Sequence, residues 1–369
     1  MDQPASSFKP NILIAPLDWG LGHATRCIPI IRTLIQKKCN VLIAAEGKIK
    51  ILLQKEFSQL VFIDFKGYRI HYSKNGLLLP LQIGKQIPKI FSTIQYENAR
   101  LKEIVKEYSV HGIISDNRYG FYHQTIPSIF ITHQLKIKTP IGSFVDDFLQ
   151  KINYKYINRF SECWIPDNED ENNLAGELSH PAKKPIVSIK YIGALSRFEK
   201  QDNGVEKHLL IILSGPEPQR TIFENLLIEQ LKQYKDPVVF VRGLPGEKNQ
   251  LQLSPNVSVY NHLSAEELNQ KVNGASVVIS RCGYSTVMDL ARLKKKSILI
   301  PTPGQTEQEY VARHLMKNNF ALCIEQKKFR LQNAVDLSSQ FNYCNEQFFL
   351  GDNFEEAINS FLNGLKSMS

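Results

Sequence analysis

Ser280-Arg281-Cys282-Gly283-Tyr284-Ser285-Thr286 follows the apolar run Ala275 to Ile279 and precedes a helical pattern that begins at Val287. A strand that feeds glycine and small hydroxyl residues into a helix start makes an anion site, because unpaired backbone N–H groups and the positive end of the helix dipole converge there. A diphosphate is the anion such a turn suits. A second turn of the same kind lies near the amino end, where Ile12 to Ala15 leads into Gly20-Leu21-Gly22-His23-Ala24-Thr25-Arg26 and another helix pattern. Two such turns, far apart in one chain, point to two nucleotide-type folds facing one cleft.

Short β-branched runs alternate with helical patterns, as in parallel sheets covered by helices on both faces. In the first half the strand candidates are Ile12 to Ala15, Val41 to Ala45, Leu60 to Asp64, Gly112 to Ser115 and Ser128 to Thr132. Helices are predicted near Ala24 to Lys37, Ile49 to Gln54 and Gln86 to Tyr108. A second set of strands runs Leu209 to Leu213, Val238 to Val241, Val257 to Tyr260, Ser276 to Ser280 and Ser297 to Pro301. Its helices are predicted near Arg220 to Tyr234, Ala265 to Asn273, Thr286 to Arg292 and Gln308 to Lys317.

At 369 residues the chain suits two domains of ordinary size. The reading is α/β, with two Rossmann-like parallel-sheet domains. Residues 1–165 form the amino-terminal domain, and 166–202, rich in Asp, Asn, Glu and Pro, form the crossing between domains. Residues 203–349 form the carboxyl-terminal domain. In 350–369, apolar residues at helical spacing from Phe354 to Leu365 predict a terminal helix that docks back on the body.

Hydrophobic residues make up 43% and charged residues 22%, and no apolar run approaches the roughly 18 residues a membrane span needs. The polar start, Met1 to Pro10, has no apolar signal core, so a cytoplasmic location is expected. Six cysteines lack C-x-x-C pairs and zinc spacing, and read as reduced thiols. The net charge of +9 is partly concentrated in 65–106, where eight Lys or Arg side chains interleave with Leu77 to Leu79, Leu81, Ile83, Ile87, Ile90 and Phe91. That segment suits the surface of an anionic membrane, or else is a solvated face over core residues. No nucleic-acid motif accompanies the charge.

Gly20-Leu21-Gly22-His23 departs from a dinucleotide fingerprint, since Thr25 stands where G-x-G-x-x-G needs its third glycine. It offers a histidine at a helix start instead, where the cation is disfavoured and a neutral base favoured. Asp116, ending a strand in Ser115-Asp116-Asn117-Arg118, is a second candidate base. On the other side Asp289 lies one turn into the helix after Thr286, placed to reach a ribose diol. Pro301 to Tyr310 opens a further helix with Glu307, Gln308 and Glu309 at its amino end. These side chains either grip sugar hydroxyls or offset the helix dipole.

These residues carry a resemblance. The chain is similar to GT-B nucleotide-sugar glycosyltransferases of the kind that transfers GlcNAc from UDP-GlcNAc in peptidoglycan lipid-precursor synthesis. The likeness is sharpest at Gly20 to Arg26 and from Ser276 to Arg313. That family's R-x-G-x-x-T-x-x-E donor pattern is matched by Arg281, Gly283, Thr286 and Asp289, with Asp in place of Glu. Its Gln-Gln pair on the donor sugar is matched by Gln308 and Glu309. The resemblance further implies that Asn261-His262-Leu263 lies against the base and that Ser214-Gly215 and Ser285 approach the phosphates. Gly20, Gly22 and His23 would face the acceptor, and His133 would match a second family histidine there.

The expectation is therefore an inverting, metal-independent transfer of a sugar, GlcNAc or a related hexose, from a UDP-sugar co-substrate to a hydroxyl of a lipid-linked or glycan acceptor. No bound metal or other cofactor is expected. His23 or Asp116 would act as base, and Arg281 would help the turn stabilise the leaving diphosphate. Two other readings stay open. The glycine loop also resembles that of a related UDP-sugar hydrolase, with water as acceptor, and a nucleotide-sugar binding protein without turnover would keep the same fold.

Overall fold

A computed structural model of the chain describes residues 9–69, 87–201, 208–348 and 353–367. The amino-terminal sheet holds β1 (Asn11–Pro16), β2 (Asn40–Ala45), β3 (Val61–Asp64), β4 (Gly112–Asp116), β5 (Ser128–Ile131), β6 (Glu162–Ile165) and β7 (Ser188–Tyr191). Its order is β3-β2-β1-β4-β5-β6-β7, every pair parallel. The central strands are buried on both faces, which is why they read as unbroken apolar runs. Helices α1 (Leu21–Gln36), α2 (Gly47–Glu56), α3 (Ile87–Glu107) and α4 (Ser143–Ile157) make the crossovers.

The carboxyl-terminal sheet comprises β8 (His208–Ile212), β9 (Val238–Val241), β10 (Val257–Tyr260), β11 (Ala275–Arg281), β12 (Ser297–Ile300) and β13 (Leu322–Cys323). Its order is β10-β9-β8-β11-β12-β13, again all parallel. Its helices are α5 (Gln219–Leu231), α6 (Ala265–Gly274), α7 (Tyr284–Arg292), α8 (Thr306–Lys317) and α9 (Leu331–Gln340). The last helix, α10 (Asn353–Lys366), returns to the amino-terminal domain. Its Phe361 ring stands edge-on to Trp164, and a Cβ on Gly112 would meet that ring at 2.6 Å.

One sequence expectation needs correction. The segment 166–202 is not only a crossing, because residues 188–191 within it pair with β6 as the edge strand of the first sheet. The short alternation Ser-Ile-Lys-Tyr is too brief to stand out amid polar neighbours. The apolar residues of 65–106 divide where they are described, with Phe91 37% and Tyr96 45% exposed. Phe65, Ile94, Leu101 and Ile104 are core, and the helix turns its lysines outward while Glu97 is buried against Arg118. Leu77 to Leu79, Leu81 and Ile83 lie outside the described residues.

Both sheets run parallel, so both active ends are the carboxyl ends of strands, and the turns after β1 and β11 meet there.

Candidate active site

Helix α1 starts just after Gly20, so His23 falls in its first turn and Arg26 lies one turn further on the same face. Strand β4 lies beside β1 with Asp116 opposite Pro16, and this register delivers the Asp116 carboxylate to that face. Asp116 is fully buried. Arg26 Nε lies 2.9 Å from each carboxylate oxygen, and its Nη2 also bonds Oδ1. His23 Nδ1 stands 2.9 Å from Oδ2 and 2.8 Å from Arg26 Nη2. A bare ring nitrogen facing a carboxylate at that distance would be repelled, and Arg26 already has the carboxylate as acceptor. Nδ1 therefore carries the proton and donates it to Asp116, leaving Nε2 as the basic nitrogen.

Burial, helped by the Arg26 charge, lowers the His23 pKa below its ordinary value, although Asp116 pulls the other way. The imidazole is thus neutral at neutral pH, as a general base requires. The expectation that Asp116 is an alternative base is corrected here. Burial raises its pKa, but Arg26 and His23 outweigh this and hold the carboxyl below the usual range, and it has no exposed surface. Its part is to fix the tautomer and ring of His23.

The donor-side turn closes directly on this pair. Ser285 Oγ donates to the Gly22 carbonyl at 2.9 Å, and a Cβ on Gly22 would lie 2.8 Å from that oxygen. Glycine at 22 is therefore what lets the start of α7 approach. Gly20, by contrast, has nothing near its Cβ position. Tyr284 donates to the Pro166 carbonyl at 2.9 Å, and its ring stacks on His133 at 3.9 Å with the planes 5° apart. His133 Nε2 is 2.7 Å from Glu307 Oε1, and its Nδ1 is 3.5 Å from Arg26 Nη1. His133 is only 5% exposed, so its expected acceptor-side place is corrected: it is a contact between the domains. Further bridges run from Thr306 Oγ1 to the Lys138 carbonyl and from the Glu177 N–H to the Tyr310 hydroxyl.

Gly283 caps α7 with open space around it, so the helix start is accessible on that side. Gly215 is exposed with φ of 105°, a conformation that favours glycine, and Ser214 beside it is half-buried. His262 is exposed, whereas the Leu263 side chain is core, so only backbone there can face a base. Arg281 departs from expectation. It is 1% exposed, lies over the Phe223 ring and donates to the Gln219 carbonyl, which keeps its charge inside the domain.

Thr286 and Asp289 line a cavity of about 40 Å³ together with Arg197 and Phe198. Asp289 accepts a 2.6 Å hydrogen bond from Ser196, and burial raises its pKa to about 6 despite Arg197. In the folded protein it therefore holds its proton between about pH 4 and 6, where the unfolded chain has released it. Stability from this group falls as pH rises through that window, by an amount on the order of 3 kcal/mol. Asp289→Asn keeps the acceptor for Ser196 and removes the titration. Urea unfolding at about pH 4.5, inside that window, and at about pH 7, roughly one unit above it, is expected to show a smaller stability difference in D289N than in the parent.

Gln308 and Glu309 are turned to their own loop. Gln308 Oε1 accepts from Thr302 N at 2.9 Å and Glu309 Oε1 from Gly304 N at 3.0 Å. They brace the start of α8, and the sugar-gripping expectation for them is not met in this arrangement. Glu307 is the residue of that trio that crosses the cleft. Its partner is 174 positions away, so its place at a helix start marks the residue but not the contact. Arg26, too, carries no mark beyond its place in the glycine loop. Among the described residues, no group of three His, Cys, Asp or Glu side chains is arranged to hold a metal ion, and no helix is long and apolar enough to cross a membrane.

The two parallel-sheet domains with facing carboxyl ends are the GT-B glycosyltransferase architecture. The glycotransferase of kitacinnamycin superposes with a TM-score of 0.62 over 97% of this chain and 94% of that one, at 17% identity. Acinetobacter baumannii MurG does so with a TM-score of 0.52 over 92% of each chain, at 14% identity. Residues 212–347 match the glycosyltransferase family 28 C-terminal domain. The UDP-N-acetylglucosamine--N-acetylmuramyl-(pentapeptide) pyrophosphoryl-undecaprenol N-acetylglucosamine transferase of Buchnera aphidicola is 23% identical over 334 residues, 87% of this chain and 86% of its own. The carboxyl-terminal domain is thus of family 28, and the chain is a glycosyltransferase.

Proposed function

We propose that the chain moves a sugar, GlcNAc or a related hexose, from a UDP-sugar to a hydroxyl of a lipid-linked acceptor, inverting the anomeric carbon and using no divalent metal. The observation that carries this reading is the His23–Asp116 pair set one hydrogen bond from the donor-side helix start, through Gly22 and Ser285. In the step proposed, His23 Nε2 takes the acceptor's hydroxyl proton as its oxygen attacks C1 from the side opposite the diphosphate. The C1–O bond to UDP breaks and its electron pair goes to the diphosphate, whose growing charge meets the N–H groups at the start of α7. Asp116 accompanies the imidazolium that forms.

The acceptor class is supported by relatives named for a pyrophosphoryl-undecaprenol substrate, matched over most of both chains. A peripheral place at the inner face of the plasma membrane follows from the same reading. A melting screen with UDP, GDP and dTDP tests the donor assignment, since a ligand bound only by the folded state raises its apparent stability. UDP is expected to raise Tm most. A rise with another nucleotide and none with UDP would overturn the assignment. Free sugar released from the donor alone, as fast as with acceptor, would indicate hydrolysis instead.

A further inference from the structure

His133 lies just past β5, yet side chains of the other domain hold its ring on two sides. Tyr284, at the start of α7, lies flat against one face, and its hydroxyl bond to the Pro166 carbonyl pins the stacked pair in place. Glu307, in the first turn of α8, meets one edge with Oε1 2.7 Å from Nε2. At the other edge Arg26 Nη1 lies 3.5 Å from Nδ1, a long hydrogen bond. These two neighbours leave the ring one arrangement of its proton. A guanidinium has only N–H groups to offer, so the Nδ1 that faces it is bare, and a carboxylate only accepts, so the Nε2 that faces it carries the hydrogen. His133 is therefore the neutral Nε2–H tautomer, and Glu307 is what selects it.

Arg26 is where that selection is felt. Its Nε and Nη2 are committed to Asp116, while Nη1 has His133 Nδ1 as its acceptor. With the proton on the other nitrogen an N–H would face an N–H, pushing the guanidinium from the seat in which it holds Asp116 and touches His23. The tautomer of one histidine thus steadies the neighbour of the other. Desolvation raises the Glu307 pKa, but His133 and then Arg26 outweigh it and keep the carboxyl below the usual range, ionised as the contact needs. An acid in a first turn offsets the helix dipole wherever its oxygens point. Here one oxygen is aimed across the cleft.

We propose that Glu307 is a positioning residue for the transfer: by holding the His133 proton on Nε2 it turns the bare Nδ1 to Arg26, and so seats the Arg26–Asp116–His23 group that supplies the base. Glu307 and Tyr284 belong to the carboxyl-terminal domain, whereas His133, Arg26, Asp116 and His23 belong to the amino-terminal one. The base is therefore fully seated only while the cleft is closed. The inference rests on the transfer reading, with His23 as base, for its purpose. The proton positions are read on the protein alone, with neither donor nor acceptor, so the two fail separately.

The full chain, isotopically labelled at the histidine ring nitrogens, is measured by NMR, where a nitrogen bearing hydrogen and a bare one resonate far apart. His23→Gln and His133→Gln assign the two rings by the signals each removes. Near neutral pH the parent is expected to show His133 protonated on Nε2 alone and His23 on Nδ1 alone. Glu307→Met, which fills the space without an acceptor, should lose the Nε2–H signal of His133 and shift the signals of His23. Its kcat should fall about tenfold to a hundredfold, the cost of a misplaced reacting group, with donor KM nearly unchanged. Tyr310→Phe breaks another contact between the domains, with the Glu177 N–H, and should leave the His23 signals and kcat as in the parent. The Glu307 side chain is 37% exposed, and an unchanged Tm establishes that the methionine variant folds. The proposal is overturned if parent His133 carries hydrogen on Nδ1, or if Glu307→Met leaves the His23 signals in place. It is equally overturned if the loss falls in donor KM with kcat kept, which would make Glu307 a clamp between domains. The stated tautomers in a chain that transfers no sugar would support the seating of Arg26 and overturn the transfer reading.

Discussion

His23→Ala is expected to lower kcat by about 10²–10⁴ with donor affinity and Tm nearly unchanged, the range set by losing one positioned general base. The residue is partly exposed at the cleft, so truncation removes little packing. His23→Gln, which keeps polarity but cannot take a proton, should be as slow. Because burial and Arg26 lower the His23 pKa, the acidic limb of kcat/KM should fall below pH 6.5 or so, the ordinary histidine value. Steady-state rates of UDP release from pH 5 to 9 (about the span over which histidine titrates) check both statements. A limb unchanged in the glutamine variant would assign the base to another residue.

Arg26→Met should be the most destabilising change at the site. Arg26 is 2% exposed and is the main counter-charge to a carboxylate with no exposed surface. Removing one partner of a buried pair leaves the other uncompensated and costs about 3–5 kcal/mol. Removing both is far milder, so Arg26→Met/Asp116→Leu should recover most of that loss in urea unfolding. Activity should not return with stability in the double variant. Without Asp116 nothing holds the Nδ1 proton of His23, and the loss should appear in kcat more than in KM.

The strands buried on both faces are the legible part of this chain in physical terms. Unbroken apolar runs such as Ile12 to Ala15 and Val238 to Val241 are what strands buried on both faces must look like, and they were read to within a residue or two. β6, β7 and β13 were not, because Glu162 opens β6, Ser188 and Lys190 interrupt β7, and β13 has only two residues. Helix α4 escaped for a different reason. A pattern search assumes the apolar face is the buried one, and here Asp146 and Asn153 are inside while Phe144 and Phe148 are out.

At the site, His23 and Asp116 were each legible as candidates, since one starts a helix and the other ends a strand. Their pairing was not, because it depends on the register that sets Pro16 beside Asp116. The same holds for Arg281. The motif places it near phosphate, but β11 is long enough to carry its side chain into the domain, where Phe223 and the Gln219 carbonyl take it. Local pattern identifies residues that chemistry needs, and only the three-dimensional contacts separate those that touch substrate from those that hold the others in place.

In the proposed function, one cleft joins a nucleotide-sugar site to a histidine that activates a lipid-borne hydroxyl. Incubating purified protein with labelled UDP-GlcNAc and a membrane lipid extract, then measuring label in the lipid phase, tests it most directly. Label should enter the lipid phase with the parent protein and not with His23→Ala. Label found only as free sugar, or entering lipid equally with both proteins, would contradict it.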